Sequence, residues 1–130
     1  MGEHTFSKQE RLNKEIWIKE LFEKGSSFNV YPFRVIYFIH PDQTWPVHQL
    51  LISVSTRNFK KSVDRNTLKR RIREGYRLNK PVLISPKKLL VAYIYTAKEI
   101  LPSNIIHEKV IRSLSTISGR ESKNAADKTK

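Results

Sequence analysis

The residues with the most distinct chemistry lie between positions 57 and 80, where cations are crowded together. This segment carries ten Lys and Arg residues and only two acids, Asp64 and Glu74, so it holds +8 of the formal net charge of +13. Arginine outnumbers lysine in its second half, and a guanidinium suits bidentate contacts with phosphate. A concentration of positive charge on this scale predicts a polyanionic partner.

The same segment has the pattern of an amphipathic helix. Asp64 is a candidate N-cap, and positions 65–78 contain no proline. At about 100° per residue, one apolar stripe forms from Leu68, Ile72, Gly75 and Tyr76. One flank of the helix collects five cations and one amide: Arg65, Asn66, Lys69, Arg70, Arg73 and Arg77. Like charges four residues apart repel each other, so we expect an external anion to compensate them.

Other interpretations of the basic helix stay open on these grounds. A solvated face is the simplest, although such faces usually intersperse Glu for pairing at i,i+4. A structural RNA-binding protein, such as a ribosomal component, fits the composition equally well. A DNA-binding module would place the arginine helix in a major groove, but no short helix-turn-helix partner is visible in the sequence.

Residues for independent catalysis are sparse. The three aspartates (42, 64 and 127) are dispersed, whereas metal-assisted hydrolysis needs clustered ligands. The absence of Cys excludes disulfides, cysteine zinc sites and thiol catalysis. His40 and His48 flank one loop and would form an acid–base pair only if they met across a hairpin. We therefore expect the chain alone to have no catalytic residue, no metal site and no bound cofactor.

Helices and strands on either side must position the basic segment. Asn13 is a candidate cap for a first helix through Ile16–Phe22, and Gly25 is placed to end it as a left-handed residue. Ser7–Glu10 has the capping-box pattern, which predicts an earlier helix start or a separate turn. Alternation and β-branched runs predict strands over 33–40, 49–55 and 88–96.

The C-terminal part is predicted to hold one more helix and then a tail. Ser103 is a candidate N-cap, apolar residues follow at helical spacing, and Gly119 is placed at the exit. We expect one folded domain over residues 1–118 and a flexible basic tail over 119–130. The fold class is α+β, a single-domain sandwich of helices on a small sheet.

Membrane insertion and secretion are not indicated. The longest apolar run, Leu89–Tyr95, has seven residues, far short of the roughly twenty in a membrane helix. The N-terminus lacks the basic region and apolar core of a secretory signal. We expect a cytoplasmic location.

Positions 65–74 resemble a family signature. They are similar to the pattern Arg-Asn-x-x-Lys-Arg-x-x-Arg-Glu of the protein subunit of bacterial ribonuclease P. The preceding positions 59–64 resemble the basic loop that leads into that helix. The family's N-terminal pattern is matched by Phe6, Arg11, Leu12, Phe22 and Gly25. The resemblance extends to about Gly119.

That resemblance implies a fold and a role. The family fold is α-β-β-β-α-β-α with an unusual left-handed crossover. The family protein is a cofactor of a ribozyme whose RNA subunit, using magnesium, cleaves precursor tRNA to leave the mature 5′ end. This chain would then be a subunit of an endoribonuclease in which the RNA carries out catalysis. Its expected partners are ribonuclease P RNA and the 5′ leader of precursor tRNA, with neither membrane nor DNA.

The resemblance also assigns residues. RNA contacts are expected from the basic flank and the loop before it: Lys61, Arg65, Asn66, Lys69, Arg70, Arg73 and Arg77. For the leader, the candidates come from the residues themselves, because single-stranded RNA suits aromatic faces combined with positive charge. They are Phe22, Phe33 and Tyr37, of which Phe22 also matches a family position. This chain departs from the family with Ile18 where relatives often have an aromatic residue, and with Thr56 and Thr67 where basic residues are frequent.

Overall fold

Helices and strands follow one another in the order that the family resemblance implies. The computed structural model describes residues 7–128, and side chains over residues 7–121. The elements are α1 (Glu15–Lys24), β1 (Ser26–Val30), β2 (Phe33–Ile39), β3 (Gln49–Val54), α2 (Ser62–Asn79), β4 (Leu89–Tyr95) and α3 (Ser103–Lys128). The predicted α+β class and the order α-β-β-β-α-β-α are confirmed. Phe6, part of the matched N-terminal pattern, lies outside the described residues.

One mixed sheet forms the centre of the fold. Its strand order is β1-β2-β4-β3, with β1–β2 and β2–β4 antiparallel and β3–β4 parallel. The chain reaches β4 from β3 through α2, so the basic helix is the crossover between two parallel strands. The left-handed sense of that crossover stays a prediction from the resemblance.

Helices cover both faces of the sheet. Alternate β2 residues such as Phe33 and Val35 join the large core cluster that includes Leu68 and Ile72 of α2 together with apolar residues of α3. On the other face, α1 packs Leu21 against Ile36 and its neighbours in a second, smaller cluster. Because α1 is only ten residues long, it covers that face incompletely, and several apolar side chains beside it stay half-buried.

The start of the chain differs from the sequence prediction in two details. The first helix begins at Glu15 with Lys14 as its N-cap, so the predicted cap at Asn13 is wrong. The Ser7–Glu10 pattern forms a separate 3-10 turn, in which the Ser7 amide donates to the Glu10 carboxylate at 2.8 Å. A separate turn was one of the two outcomes that the capping box predicted.

Gly25 ends α1 for a different reason from the one predicted. Its backbone is extended, with φ −71° and ψ 155°, so the left-handed cap is wrong. A Cβ at this position would lie 2.4 Å from the Leu21 carbonyl oxygen and 2.8 Å from Cγ2 of Ile36. Glycine is required because α1 turns directly into β1 against the sheet.

The ends of the other two helices also require corrections. The helix α2 begins at Ser62 with Lys61 as its N-cap, so the predicted cap at Asp64 is wrong. Asp64 lies in the first turn, where its negative charge interacts favourably with the positive end of the helix dipole. The helix α3 continues through Gly119 to Lys128, so the predicted exit at Gly119 is wrong. The domain boundary at 118 and the flexibility of residues 119–130 stay predictions.

Candidate nucleic-acid interface

The apolar stripe of α2 fixes which way its charged residues face. Leu68, Ile72, Gly75 and Tyr76 are buried, as predicted. A Cβ on Gly75 would lie 3.0 Å from Cδ2 of His107 on α3, so this glycine permits close packing of the two helices. With this stripe held against the sheet and α3, the basic flank (Arg65, Asn66, Lys69, Arg70, Arg73 and Arg77) is directed away from the core.

Arg65 and Arg77 of the basic flank are engaged within the protein. The Arg65 guanidinium donates from Nη1 to the carbonyl oxygens of Phe59 at 2.7 Å and Lys60 at 2.9 Å, which ties the preceding loop to α2. Arg77 forms an ion pair with Glu74, including an Nε–Oε2 hydrogen bond of 3.0 Å. That bond lowers the pKa of Glu74 and raises the pKa of Arg77. Arg65 therefore acts partly as a structural residue, and the charge of Arg77 is offset.

The remaining positive charge is not neutralised in the same way. Lys61, Lys69 and Arg70 form no ion pair with any carboxylate among residues 7–121. Arg70 is exposed, as are Asn66 and Lys61, while Lys69 is half-buried. The predicted one-sided, uncompensated charge is thus present, centred on the middle of α2.

A groove connects this flank to the edge of the sheet. Lys69 and Arg73 line a cavity of about 290 Å³ together with Leu51 of β3. Arg11 and Asn13 also line it. We call this cavity, lined by Arg11–Asn13, Leu50–Ile52, Lys69 and Arg73, the lateral groove.

Local backbone structure holds Arg11 beside the basic helix. Arg11 makes a parallel bridge with Leu50, and the Leu12 amide donates to the Leu50 carbonyl at 3.0 Å. Partial burial lowers the pKa of Arg73, and the positive charge of Arg11 lowers it further. Like charges brought this close favour an anion between them.

The three aromatic residues predicted to contact a leader have different environments. Phe33 is 1% exposed and Tyr37 is 5% exposed. Both pack in the core beneath α2 and α3, with Phe33 edge-on to Tyr93 and Tyr95. Their rings present no face to solvent, so burial argues against the prediction for both.

Phe22 is the member of the trio that remains accessible. It is 46% exposed on α1. Ile18 lies one turn earlier on the same side of the helix, because residues four apart are neighbours. Ile18, like the half-buried Leu51 and Ile94 of the sheet, packs against the smaller core cluster. The substitution of Ile18 for an aromatic residue leaves this surface apolar, with Phe22 as its exposed ring.

A larger open groove lies where β3 and β4 end. Its volume is about 930 Å³, and its lining includes Thr56, Arg57, Thr96 and Lys98. Ile94 is shared between this groove and the apolar surface next to α1. Arg57 and Lys98 supply positive charge here, beside the Thr56 that replaces the family's frequent basic residue.

Sequence reasoning did not assign a site role to Arg11, Asn13 or Lys98. Arg11 was noticed only as part of the N-terminal family pattern. The sequence does show that Arg11 and Asn13 lie between the capping turn and α1, which places them in a short connection. Their position opposite α2 depends on pairing with β3, which no local pattern reveals.

The histidine pair considered for catalysis does not form. The Asp42 amide donates to Nδ1 of His40 at 3.0 Å, and His40 Nε2 contacts Gln49 Oε1 at 3.1 Å. His48 Nδ1 instead accepts from the Leu89 amide at 2.9 Å. Burial, with the nearby charge of Lys88, lowers the pKa of His48 to about 4.

The described residues hold neither a metal-ligand cluster nor a membrane-spanning helix. No group of three or more His, Asp or Glu side chains there is arranged to hold a metal ion. No helix among them is both long enough and apolar enough to span a bilayer.

Fold and charge together define a small basic α+β domain whose cations are concentrated on one helix, a pattern typical of nucleic-acid-binding proteins. The family follows from sequence comparison, because the model of the family described as Ribonuclease P matches residues 6–117. The chain belongs to the ribonuclease P protein family.

Individual relatives agree with this membership. The chain is 32% identical over 118 residues to a ribonuclease P protein component from Porphyromonas gingivalis, an alignment that covers 87% of this chain and 86% of that protein. It is 39% identical over 80 residues to the protein component from Petrotoga mobilis, covering 62% and 64%. Membership implies an RNA partner and a place in an endoribonuclease complex, consistent with a role in tRNA 5′ processing.

Solved structures show the same fold. The RNase P protein from Thermotoga maritima superposes with a TM-score of 0.68 at 28% identity, covering 83% of this chain and 97% of that chain. The Staphylococcus aureus RNase P protein gives a TM-score of 0.66 at 25% identity, covering 82% and 94%.

Proposed function

We propose that this chain is the protein cofactor of a ribozyme, binding the ribonuclease P RNA and the 5′ leader of precursor tRNA to promote endonucleolytic 5′ maturation. The observation that carries the proposal is the one-sided charge of α2, which lines the lateral groove together with Arg11. In this scheme magnesium and the chemical step belong to the RNA subunit, and the protein supplies binding and positioning.

The basic flank of α2 is the surface proposed for the RNA subunit. A rigid helix with cations at fixed spacing can follow the phosphates of a structured RNA, since duplex RNA is recognised mostly through shape and backbone. Lys61, Asn66, Lys69 and Arg70 are available for such contacts. Arg65 keeps its other N–H groups for RNA while one nitrogen holds the loop.

The leader is proposed to lie beside α1. Phe22 supplies an exposed ring, Ile18 and Ile94 continue the apolar surface, and Arg57 and Lys98 add charge at the strand ends. Single-stranded RNA is held by this combination of stacking and backbone electrostatics, with little dependence on sequence. Phe33 and Tyr37 have no part in it because they are buried.

Reconstitution tests the proposal. The purified chain is mixed with a bacterial ribonuclease P RNA, and cleavage of precursor tRNA is followed at low magnesium concentration. We expect the chain to stimulate cleavage at the mature 5′ end. A lack of stimulation, combined with binding to unrelated structured RNAs, would instead favour a general structural RNA-binding protein.

The leader surface has its own test. Phe22→Ala should weaken binding of the reconstituted enzyme to a precursor with a long leader and leave a precursor with a single-nucleotide leader unaffected. Ile16→Ala is the matched control, because Ile16 is 57% exposed on a different side of the same helix. Equal effects of the two substitutions would contradict the assignment, and circular dichroism checks that both variants fold.

A further inference from the structure

A pocket with two tryptophans lies next to the lateral groove and has no part in the function described so far. The only two tryptophans of the chain, Trp17 of α1 and Trp45 of the β2–β3 loop, meet edge to face with ring centroids 5.3 Å apart. They adjoin a cavity of about 460 Å³ whose lining also includes Lys8, Arg11 and Lys14. We call this cavity the tryptophan pocket.

Hydrogen bonds hold the pocket in shape. Trp45 Nε1 donates to the Gln9 carbonyl at 2.9 Å. Gln49, which is buried, donates to the same carbonyl at 3.0 Å and to the Arg11 carbonyl at 3.2 Å. The other end of the Gln49 amide contacts His40, whose ring stacks on Trp45 with centroids 5.6 Å apart. The loop and the segment before α1 are therefore tied together around the tryptophans.

These contacts also define the state of His40. Because Nδ1 accepts from the Asp42 amide, the proton lies on Nε2, which then donates to Gln49 Oε1. Burial lowers the pKa of His40, so the ring behind Trp45 is neutral at pH 7. The walls are thus uncharged aromatic rings, and the positive charge lies at the rim.

The rim carries the charge that a phosphate would meet. Lys14 places Nζ 4.5 Å from the Trp17 ring centroid, over one face of the indole. This lysine is exposed, so its ammonium can move to an arriving anion and free the ring face for stacking. The cavity size falls within the range typical of small-ligand sites, roughly 300–1,000 Å³.

The pocket is continuous with the proposed RNA path. Arg11 and Asn13 line both the lateral groove and the tryptophan pocket. We propose that the tryptophan pocket takes one unstacked nucleobase of a bound RNA on Trp17 and Trp45, with the adjoining phosphates on Lys8, Arg11 and Lys14. This inference rests on the proposed RNA-binding function and adds a base-stacking site to it.

The nucleobase has two candidate sources, the precursor leader and the ribonuclease P RNA, which share the same chemistry. Binding is measured separately to ribonuclease P RNA and to precursor tRNA with and without its leader. Trp45→Leu and Trp17→Leu remove one ring each, and Trp45→Phe retains a smaller ring. Tyr31→Leu is the control, because Tyr31 is an aromatic residue 60% exposed in the turn between β1 and β2.

The expected result is a loss of affinity for one of the two RNAs of about 5- to 150-fold with either leucine variant, the range of base stacking on an aromatic residue. Trp45→Phe should recover part of the loss, and Tyr31→Leu should bind like the parent. Quenching of tryptophan fluorescence by the same RNA gives an independent signal.

The two failures can be told apart. If the leucine variants fold and bind both RNAs like the parent, the stacking site is refuted while the proposed function stands. If the parent chain itself binds neither RNA, the proposed function fails and the stacking site with it. Equal losses with Tyr31→Leu would also overturn the site, because they would show a general effect of removing exposed rings.

Discussion

Salt dependence of RNA binding gives a quantitative test of the basic flank. Lys69 and Arg70 form no ion pair among residues 7–121, so each is expected to contact phosphate and release counterions on binding. Each such contact adds about 0.7–0.9 to the slope of log affinity against log salt. The double variant Lys69→Gln with Arg70→Gln should therefore flatten the slope by about 1.4–1.8.

The difference is large enough to measure. Over a fourfold rise in salt, the parent should lose about 7- to 12-fold more affinity than the double variant. The assay is equilibrium binding to ribonuclease P RNA across a salt series, with circular dichroism to confirm folding. Arg112→Gln is the matched control, since Arg112 is exposed on α3 rather than on the basic flank.

A single substitution sharpens the interpretation. Arg77→Gln should flatten the slope by less than the value of about 0.7–0.9 expected for one phosphate contact, because Glu74 already offsets the charge of that guanidinium. Two results would refute the reasoning about this flank: an unchanged slope in the double variant, or an equal change with Arg112→Gln.

Three further predictions concern stability and are checked by chemical denaturation. Gly25→Ala should lower the free energy of unfolding by about 1–3 kcal/mol, because the new Cβ would lie 2.4 Å from the Leu21 carbonyl oxygen. An unaltered midpoint would contradict that packing. Lys80→Met should lower the free energy of unfolding by about 3 kcal/mol, because it leaves the Glu10 carboxylate without its cation. Glu10 is only 2% exposed, and its carboxylate lies 2.7 Å from Lys80 Nζ. An unchanged free energy of unfolding would show that the pair is dispensable. In the folded protein the pKa of His48 is about 4, below its value in the unfolded chain. As the pH falls from 7.5 to 5, the unfolded chain takes up a proton at this residue and the folded chain does not, so the free energy of unfolding should fall by about 2 kcal/mol. His48→Asn should remove that part of the pH dependence, and an identical pH profile in the variant would rule it out.

Much of the fold could be predicted from local patterns. The apolar stripe of α2 and the alternation in β2 are strong periodic signals, and burial of Leu68 and Ile72 follows from the stripe. The runs that became β3 and β4 are short apolar stretches, which are typical of buried strands. The strand β1 was missed from the residues alone because Ser26–Val30 is a short edge strand with mostly exposed positions. Helix ends were the weakest part, as at Asn13 and Gly119, since tertiary contacts decide where a helix stops.

The site was predictable only in part, for physical reasons. The charge asymmetry of α2 is a property of one helix, so spacing alone locates it. Phe33 and Tyr37 lie in a predicted strand whose sequence does not show which side chains are covered, and their burial becomes known only when α2 and α3 are in place. Arg11 reaches the basic helix through pairing with β3, a contact between distant parts of the chain.

Directed cleavage of RNA from α2 tests the central claim most directly. The chain contains no cysteine, so a single Asn66→Cys variant can carry a tethered iron chelate that cuts nearby RNA with hydroxyl radicals. Ser115→Cys, at an exposed position of α3, carries the same group as the control. We expect localised cuts in ribonuclease P RNA from position 66 and none above background from position 115. Cuts from position 115 with none from position 66 would show that the RNA binds elsewhere.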